Sequence, residues 1–147
     1  LKKIIILSII TSFILAPYSF SPGNINLTQA DTIISSNNIT QDTIWTPEGS
    51  PYFIRETIII QEGITLTIEP GVIVKFRQNS LIANGTLNAS GEENNPVIFT
   101  SINDDSSGGQ TVPWSNGDPA PGDWGALKTG DNGKINLNYI LCRKLLC

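Results

Sequence analysis

The chain has 147 residues, a formal net charge of −4, only 15% charged residues and no histidine. This length is typical of a single domain. The lack of histidine excludes Ser-His-Asp and Cys-His catalytic arrangements and the commonest transition-metal ligand. The weak acidic charge argues against a nucleic-acid partner, because neutralising phosphates requires clustered Lys and Arg.

The N-terminal segment has the layout of a secretory signal peptide. Lys2 and Lys3 precede the apolar run Ile4–Ala16, which is shorter than the roughly 20 residues of a transmembrane helix. We predict a signal helix and leader over residues 1–30, a secreted or cell-surface protein, and no stable membrane span after cleavage. The alternative is an uncleaved membrane anchor. Residues 31–41 are polar and show little periodicity, so we predict a flexible linker there.

The remainder, residues 42–147, carries a repeat of strand-like segments. β-branched residues are abundant and helical periodicity is absent, which predicts an all-β chain. A short alternating segment between glycine-bearing turns recurs every twenty-odd residues, at Gly63–Phe76, Asn84–Gly91 and Gly133–Ile140. A repeat of this period predicts stacked units that share one core.

Alternation within the copies predicts a strand register, because every second residue of a strand shares a face. The expected inward columns are Leu66, Leu87 and Ile135; Ile68, Ala89 and Leu137; and Val74 and Phe76 over Val97 and Phe99, with Tyr139 and Leu141 above them. The expected outward positions are polar and include Lys75, Thr67, Asn88 and Asn136. This pattern favours a coil of parallel strands around a narrow apolar core.

Four segments carry a resemblance to a known group: Leu66–Gly71, Asn84–Leu87, Pro96–Ser101 and Gly122–Gly125. They resemble the opening coils of right-handed parallel β-helix repeat proteins, which are secreted or surface-displayed proteins of bacteria and archaea. The resemblance covers roughly Asp42–Tyr139. It implies an all-β, right-handed parallel β-helix, a single-stranded solenoid of about three coils.

The C-terminal end departs from the pattern of that group. Such proteins normally continue through further coils and finish with a cap. Here the segment Leu141–Cys147 loses the alternation and holds both cysteines. We therefore expect these to be the N-terminal coils of a truncated or frameshifted product.

A long insertion, Ile102–Gly122, interrupts the repeat and is the first candidate for a site, since inserted loops on rigid scaffolds often carry function. The acidic residues in and beside it are Asp104, Asp105, Asp118 and Asp123. Clustered carboxylates suit calcium, so these four residues form a candidate calcium site, and calcium is the only cofactor we consider. The alternative is a solvated loop in which Asp, Asn and Gly are turn formers.

The resemblance also raises a catalytic hypothesis, because some β-helical enzymes cleave acidic polysaccharides with carboxylates on the outer face of the coil. Asp104 and Asp105 would be the acid–base pair, and Arg55, Lys75 or Arg77 would bind the acidic sugar. Adjacent residues do not hold two carboxylates at a fixed separation on one face. We therefore assign no catalytic residue.

Aromatic residues offer a third kind of site. A sugar-stacking platform could be built from Trp45, Tyr52, Trp114 and Trp124. Trp114 lies in the insertion and is the expected glycan contact, whereas Trp124 is expected to cap the coil interior or cover the insertion. We predict a non-enzymatic secreted or cell-surface scaffold that adheres to glycans or other surface partners. The alternative is the N-terminal fragment of a polysaccharide lyase or glycoside hydrolase.

Overall fold

A computed structural model describes residues 31–143. The predicted signal helix and the last four residues lie outside this range. Thirteen strands and one 3-10 turn, Pro47–Gly49, are found within it. The first sheet, sheet A, contains β1 (Thr32–Ile34), β4 (Tyr52–Ile54), β7 (Ile73–Phe76), β10 (Val97–Ser101) and β13 (Ile140–Cys142). Sheet B contains β2 (Asn38–Ile39), β5 (Ile58–Ile60), β8 (Leu81–Ala83) and β11 (Leu127–Thr129). Sheet C contains β3 (Thr43–Trp45), β6 (Thr65–Ile68), β9 (Thr86–Ser90) and β12 (Lys134–Asn138).

The chain visits the three sheets in rotation, and each strand from β1 to β10 pairs in parallel with the strand three positions further along. Crossovers between parallel strands are right-handed in nearly all proteins. The fold is a right-handed parallel β-helix, which confirms the predicted fold class. In the described range, β2 to β13 make four coils, and β1 precedes them, where the sequence predicted about three.

The additional coil comes from the segment 31–41, which was expected to be a flexible linker. Here the structure places β1 and β2, which pair with β4 and β5. Thr32, Ile33 and Ile34 are β-branched and suit a strand. Strands of three and two residues are too short to show a recognisable alternation of apolar and polar residues in the sequence.

The central columns of the core follow the predicted register. Leu66 pairs with Leu87 and Leu87 with Ile135, while the neighbouring column runs through Ile68, Ala89 and Leu137. The members of β6 and β9 are fully buried. Leu137 lies in the last described coil and is 43% exposed, since no described strand lies beyond it.

The predicted pairing between β7 and β10 was wrong by two residues. Val74 pairs with Phe99, and Phe76 pairs with Ser101. A shift of two residues keeps every side chain on its predicted face. Val74, Phe76 and Phe99 are accordingly all buried in the core.

The predicted pairing of β13 was wrong by one residue, and this reverses its faces. Val97 pairs with Ile140, not with Tyr139. Tyr139 has a φ of 48°, so the backbone turns sharply between β12 and β13. Ile140 and Cys142 pack against the core, whereas Tyr139 and Leu141 are exposed.

Candidate functional site

The insertion between β10 and β11 folds back over the outer face of sheet A. Phe53 points outward from β4 and packs against Ile102 and Val112 of the insertion. All three side chains are buried. This small second core attaches the insertion to the coil, because burying apolar side chains is favourable by roughly 25 cal/mol per Å².

Lys75 also points outward from β7, as predicted, but the insertion covers it completely. Its Nζ donates a hydrogen bond to the carbonyl oxygen of Gly109. Burial lowers the pKa of Lys75, and the negative charges of Asp31 and Asp104 oppose this effect without cancelling it. A lysine sealed in this way is not available to bind an acidic sugar, so that part of the sequence hypothesis is wrong.

Asp104 fastens the beginning of the insertion. It is 1% exposed and accepts hydrogen bonds from the Thr100 hydroxyl at 2.8 Å and the Ser106 backbone N–H at 3.1 Å. The Arg143 guanidinium lies 3.8 Å away. Burial alone would raise the pKa of Asp104, but the hydrogen bonds from Ser106 and Thr100 and the charge of Arg143 outweigh it and hold the pKa below its usual value.

Asp123 fastens the end of the insertion. Its Oδ2 accepts hydrogen bonds from the Ser101 hydroxyl at 2.7 Å, the Ala120 backbone N–H at 2.9 Å and the Asn103 side-chain amide at 3.2 Å. Burial acts to raise the pKa of Asp123, but these bonds together lower it. Asp104 and Asp123 thus fix the two ends of the insertion to β10 through hydrogen bonds with its adjacent residues Thr100 and Ser101.

The other two candidate calcium ligands have different surroundings. Asp105 accepts a hydrogen bond from the Ser115 hydroxyl at 2.6 Å, and Asp118 is exposed. Within residues 31–143, no group of three or more His, Cys, Asp or Glu side chains is placed to hold a metal ion. The structure therefore does not bring the four acids together, and calcium binding by them stays a prediction.

The four aromatic residues do not form a shared platform. Trp45 and Tyr52 are buried and stack on each other with ring centroids 4.7 Å apart. Trp124 is also buried and stacks on Phe76 at 4.5 Å, so it belongs to the main core of the coil. Trp114 alone among the four is exposed, at 63%.

Trp114 lies at the mouth of a cavity of about 390 Å³ between the insertion and the outer face of sheet A. The Arg77 guanidinium lies 5.7 Å from the centre of the Trp114 ring, within the range of a cation–π contact. Arg55 lines the same cavity, and Phe53 and Val112 supply its apolar part. The cleft therefore combines two cations, an exposed indole and an apolar patch.

Sequence reasoning selected Arg55, Arg77 and Trp114 but missed two other residues of this cleft. Asp31 was assigned to a linker, but it directly precedes β1 and lines the cavity together with Ile33, which is two residues further along. Thr111 also lines the cavity, and its hydroxyl oxygen is buried with no hydrogen-bond partner in the described part of the chain. The strand that follows Asp31 is too short to reveal an alternation, and nothing in the sequence marks Thr111.

No helix within residues 31–143 combines the length and apolar character needed to cross a bilayer.

Comparison with known proteins points to one domain family. A family model described as a pectate-lyase like beta helix domain matches residues 37–140. Protein bark beetle of Drosophila melanogaster is 32% identical over 69 residues, which make up 46% of this chain. The chain spans about 2% of the length of that curated relative. No solved structure gives a significant match.

Proposed function

The chain belongs to the pectate-lyase-like β-helix domain family, and from that premise we propose that it is a non-enzymatic scaffold that binds acidic glycans in the cleft beside Trp114. We further propose that it acts outside the cell or at its surface. The observation that carries the proposal is the exposed Trp114 ring beside Arg77 at the mouth of an open cavity. Ligand sites commonly combine aromatic side chains with a few convergent polar groups in this way.

The two arginines favour an anionic sugar. Phe53 pairs with Lys75 and Ile54 with Phe76, so Arg55 and Arg77 follow at equivalent positions in adjacent coils. Neighbouring strands lie about 4.8 Å apart, and guanidinium groups match carboxylates in planar, two-pronged hydrogen bonds. Both arginines are exposed, and no ion pair engages either of them among residues 31–143.

Thr111 adds a reason to expect a hydroxyl-bearing ligand. Buried polar atoms nearly always have a hydrogen-bond partner, yet the Thr111 hydroxyl has none in the described range. A sugar hydroxyl in the cavity would supply one.

Two features favour binding without turnover. Asp104, one of the two carboxylates of the catalytic hypothesis, is buried and accepts hydrogen bonds from the Thr100 and Ser106 hydroxyls. Asp105 is engaged by Ser115. We therefore expect no cleavage of pectin-like polymers by the full chain, with or without calcium; sustained release of unsaturated or reducing ends would favour the polysaccharide-degrading alternative.

The binding test uses isothermal titration of the full chain with acidic oligosaccharides. Trp114→Ala should weaken binding at least about tenfold, which corresponds to about 1.4 kcal/mol. Arg55→Gln and Arg77→Gln should each weaken it and reduce its sensitivity to salt. Tyr139→Ala is the matched control, since this aromatic side chain is also exposed but lies in the last described coil, away from the cleft.

Equal affinity of the Trp114→Ala variant and the unchanged chain would overturn the assignment of the cleft. An equal loss of affinity in Tyr139→Ala would show that the loss in Trp114→Ala is not specific to the cleft.

A further inference from the structure

The cleft is the central part of a longer groove made of three adjoining depressions. The first, of about 350 Å³, shares Arg55 and Arg77 with the central cavity. The third, of about 400 Å³, shares Asp31 with it. A ligand that leaves the central cavity in either direction therefore enters another depression directly.

The groove runs parallel to β1. Ile33 of β1 and the residues that flank this strand, Asp31 and Ser35, line the three depressions in turn at a spacing of two residues. The insertion forms the opposite wall, with Gly108 at the third depression and Trp114 at the central one. From Asp31 to Ser35 the backbone extends about 13 Å at roughly 3.3 Å per residue. This is much longer than one pyranose ring, so the groove suits an extended polymer.

Charges alternate along the groove. Arg55 and Arg77 line the first and central depressions, Glu56 lines the first, and Asp31 lines the central and third depressions. No hydrogen bond or ion pair engages the Asp31 carboxylate among the described residues. Lys75, the cation beneath the insertion, is buried and directed at the Gly109 carbonyl, and its charge interacts with that of Asp31.

We propose that the groove binds an acidic heteropolysaccharide in which an anionic sugar alternates with a neutral one, and that it disfavours uniformly anionic polymers. The inference rests on the proposed function. One anionic sugar is attracted by the paired arginines. A second anionic sugar next to it would meet the carboxylate of Asp31 or of Glu56, and like charges at short distance repel. A neutral sugar meets hydrogen-bond acceptors there instead, which its hydroxyl or amide groups can satisfy.

The test compares two oligosaccharides of equal length by isothermal titration of the full chain. One is a uniform oligogalacturonate, and the other alternates glucuronate with N-acetylglucosamine. The alternating ligand should bind at least about tenfold more tightly. Asp31→Asn should tighten binding of the uniform ligand severalfold and so narrow the difference in affinity between the two ligands. Asp131→Asn is the matched control, because it removes the same charge from an exposed position outside the groove.

The outcomes separate this inference from the proposed function. If the uniform ligand binds as tightly as the alternating one, or if Asp31→Asn changes neither affinity, the charge selection is overturned while glycan binding beside Trp114 stands. If neither oligosaccharide binds, both are overturned. If Asp31→Asn and Asp131→Asn change the affinity equally, the change reflects the net charge of the protein, and the proposed selection against uniformly anionic polymers is overturned.

Discussion

The stacked core makes a sharp prediction about Leu87→Ala. Leu87 is fully buried in β9 and has Leu66 below it and Ile135 above it. Replacing a buried leucine by alanine costs about 2–5 kcal/mol, and the cost grows with the cavity that remains. Because strands on both sides are held by parallel pairing, the site cannot collapse freely. We expect a loss of about 3–5 kcal/mol in the free energy of unfolding.

Leu137→Ala is the matched control on the same sheet. The substitution is identical, but Leu137 is 43% exposed in the last described coil. Complete burial of the atoms removed would contribute about 2.4 kcal/mol at roughly 0.8 kcal/mol per methylene. With nearly half the side chain already in water and no closed cavity left behind, the loss should be about 1 kcal/mol.

The measurement is urea unfolding followed by circular dichroism, with the free energy taken from the midpoint and the slope. Equal losses for Leu87→Ala and Leu137→Ala would refute the stacked register. If Leu87→Ala does not fold, Ile68→Val provides a milder change in the neighbouring column. This variant should cost about 1 kcal/mol.

Two further predictions concern pH. The folded chain lowers the pKa values of Asp104 and Asp123 from 3.8, so the stability that these carboxylates contribute is present above that pH and is lost as the pH falls further. Asp104→Asn should reduce this loss of stability in acid, which can be followed as the urea midpoint at a series of pH values. An unchanged dependence of the midpoint on pH would contradict the role of Asp104 in fixing the insertion. Burial places the pKa of Lys75 below 10.5, so the folded chain releases this proton more readily than the unfolded chain and stability should rise with pH through the window below 10.5. Lys75→Met should abolish that rise and be at least as stable at neutral pH, because it removes a buried charge; a variant much less stable than the unchanged chain would show that the Gly109 hydrogen bond outweighs the cost of burial.

The fold was predictable where the period of the strands is regular. Leu66, Leu87 and Ile135 could be registered from alternation alone, because a strand places every second residue inward. Tyr139 could not, since a positive φ at a residue other than glycine changes the count by one and carries no signal in the sequence. The strands β1 and β2 were also hidden by their length.

The candidate site was predictable only in part, for a different reason. Arg55, Arg77 and Trp114 stand out by chemistry, so residue type was enough to select them. The burial of Lys75 depends on how an irregular insertion packs across three coils, and no local period encodes that packing. The separation of the four acids follows from the same packing.

The most direct test of the glycan site is acrylamide quenching of tryptophan fluorescence. The chain has three tryptophans, and Trp45 and Trp124 are 3% and 2% exposed while Trp114 is 63% exposed. Quenching in the free protein should therefore come mainly from Trp114. An acidic oligosaccharide bound in the cleft should reduce quenching, and Trp114→Phe should remove that protection. Unchanged quenching at saturating oligosaccharide, or the same protection in Trp114→Phe, would contradict glycan binding at this cleft.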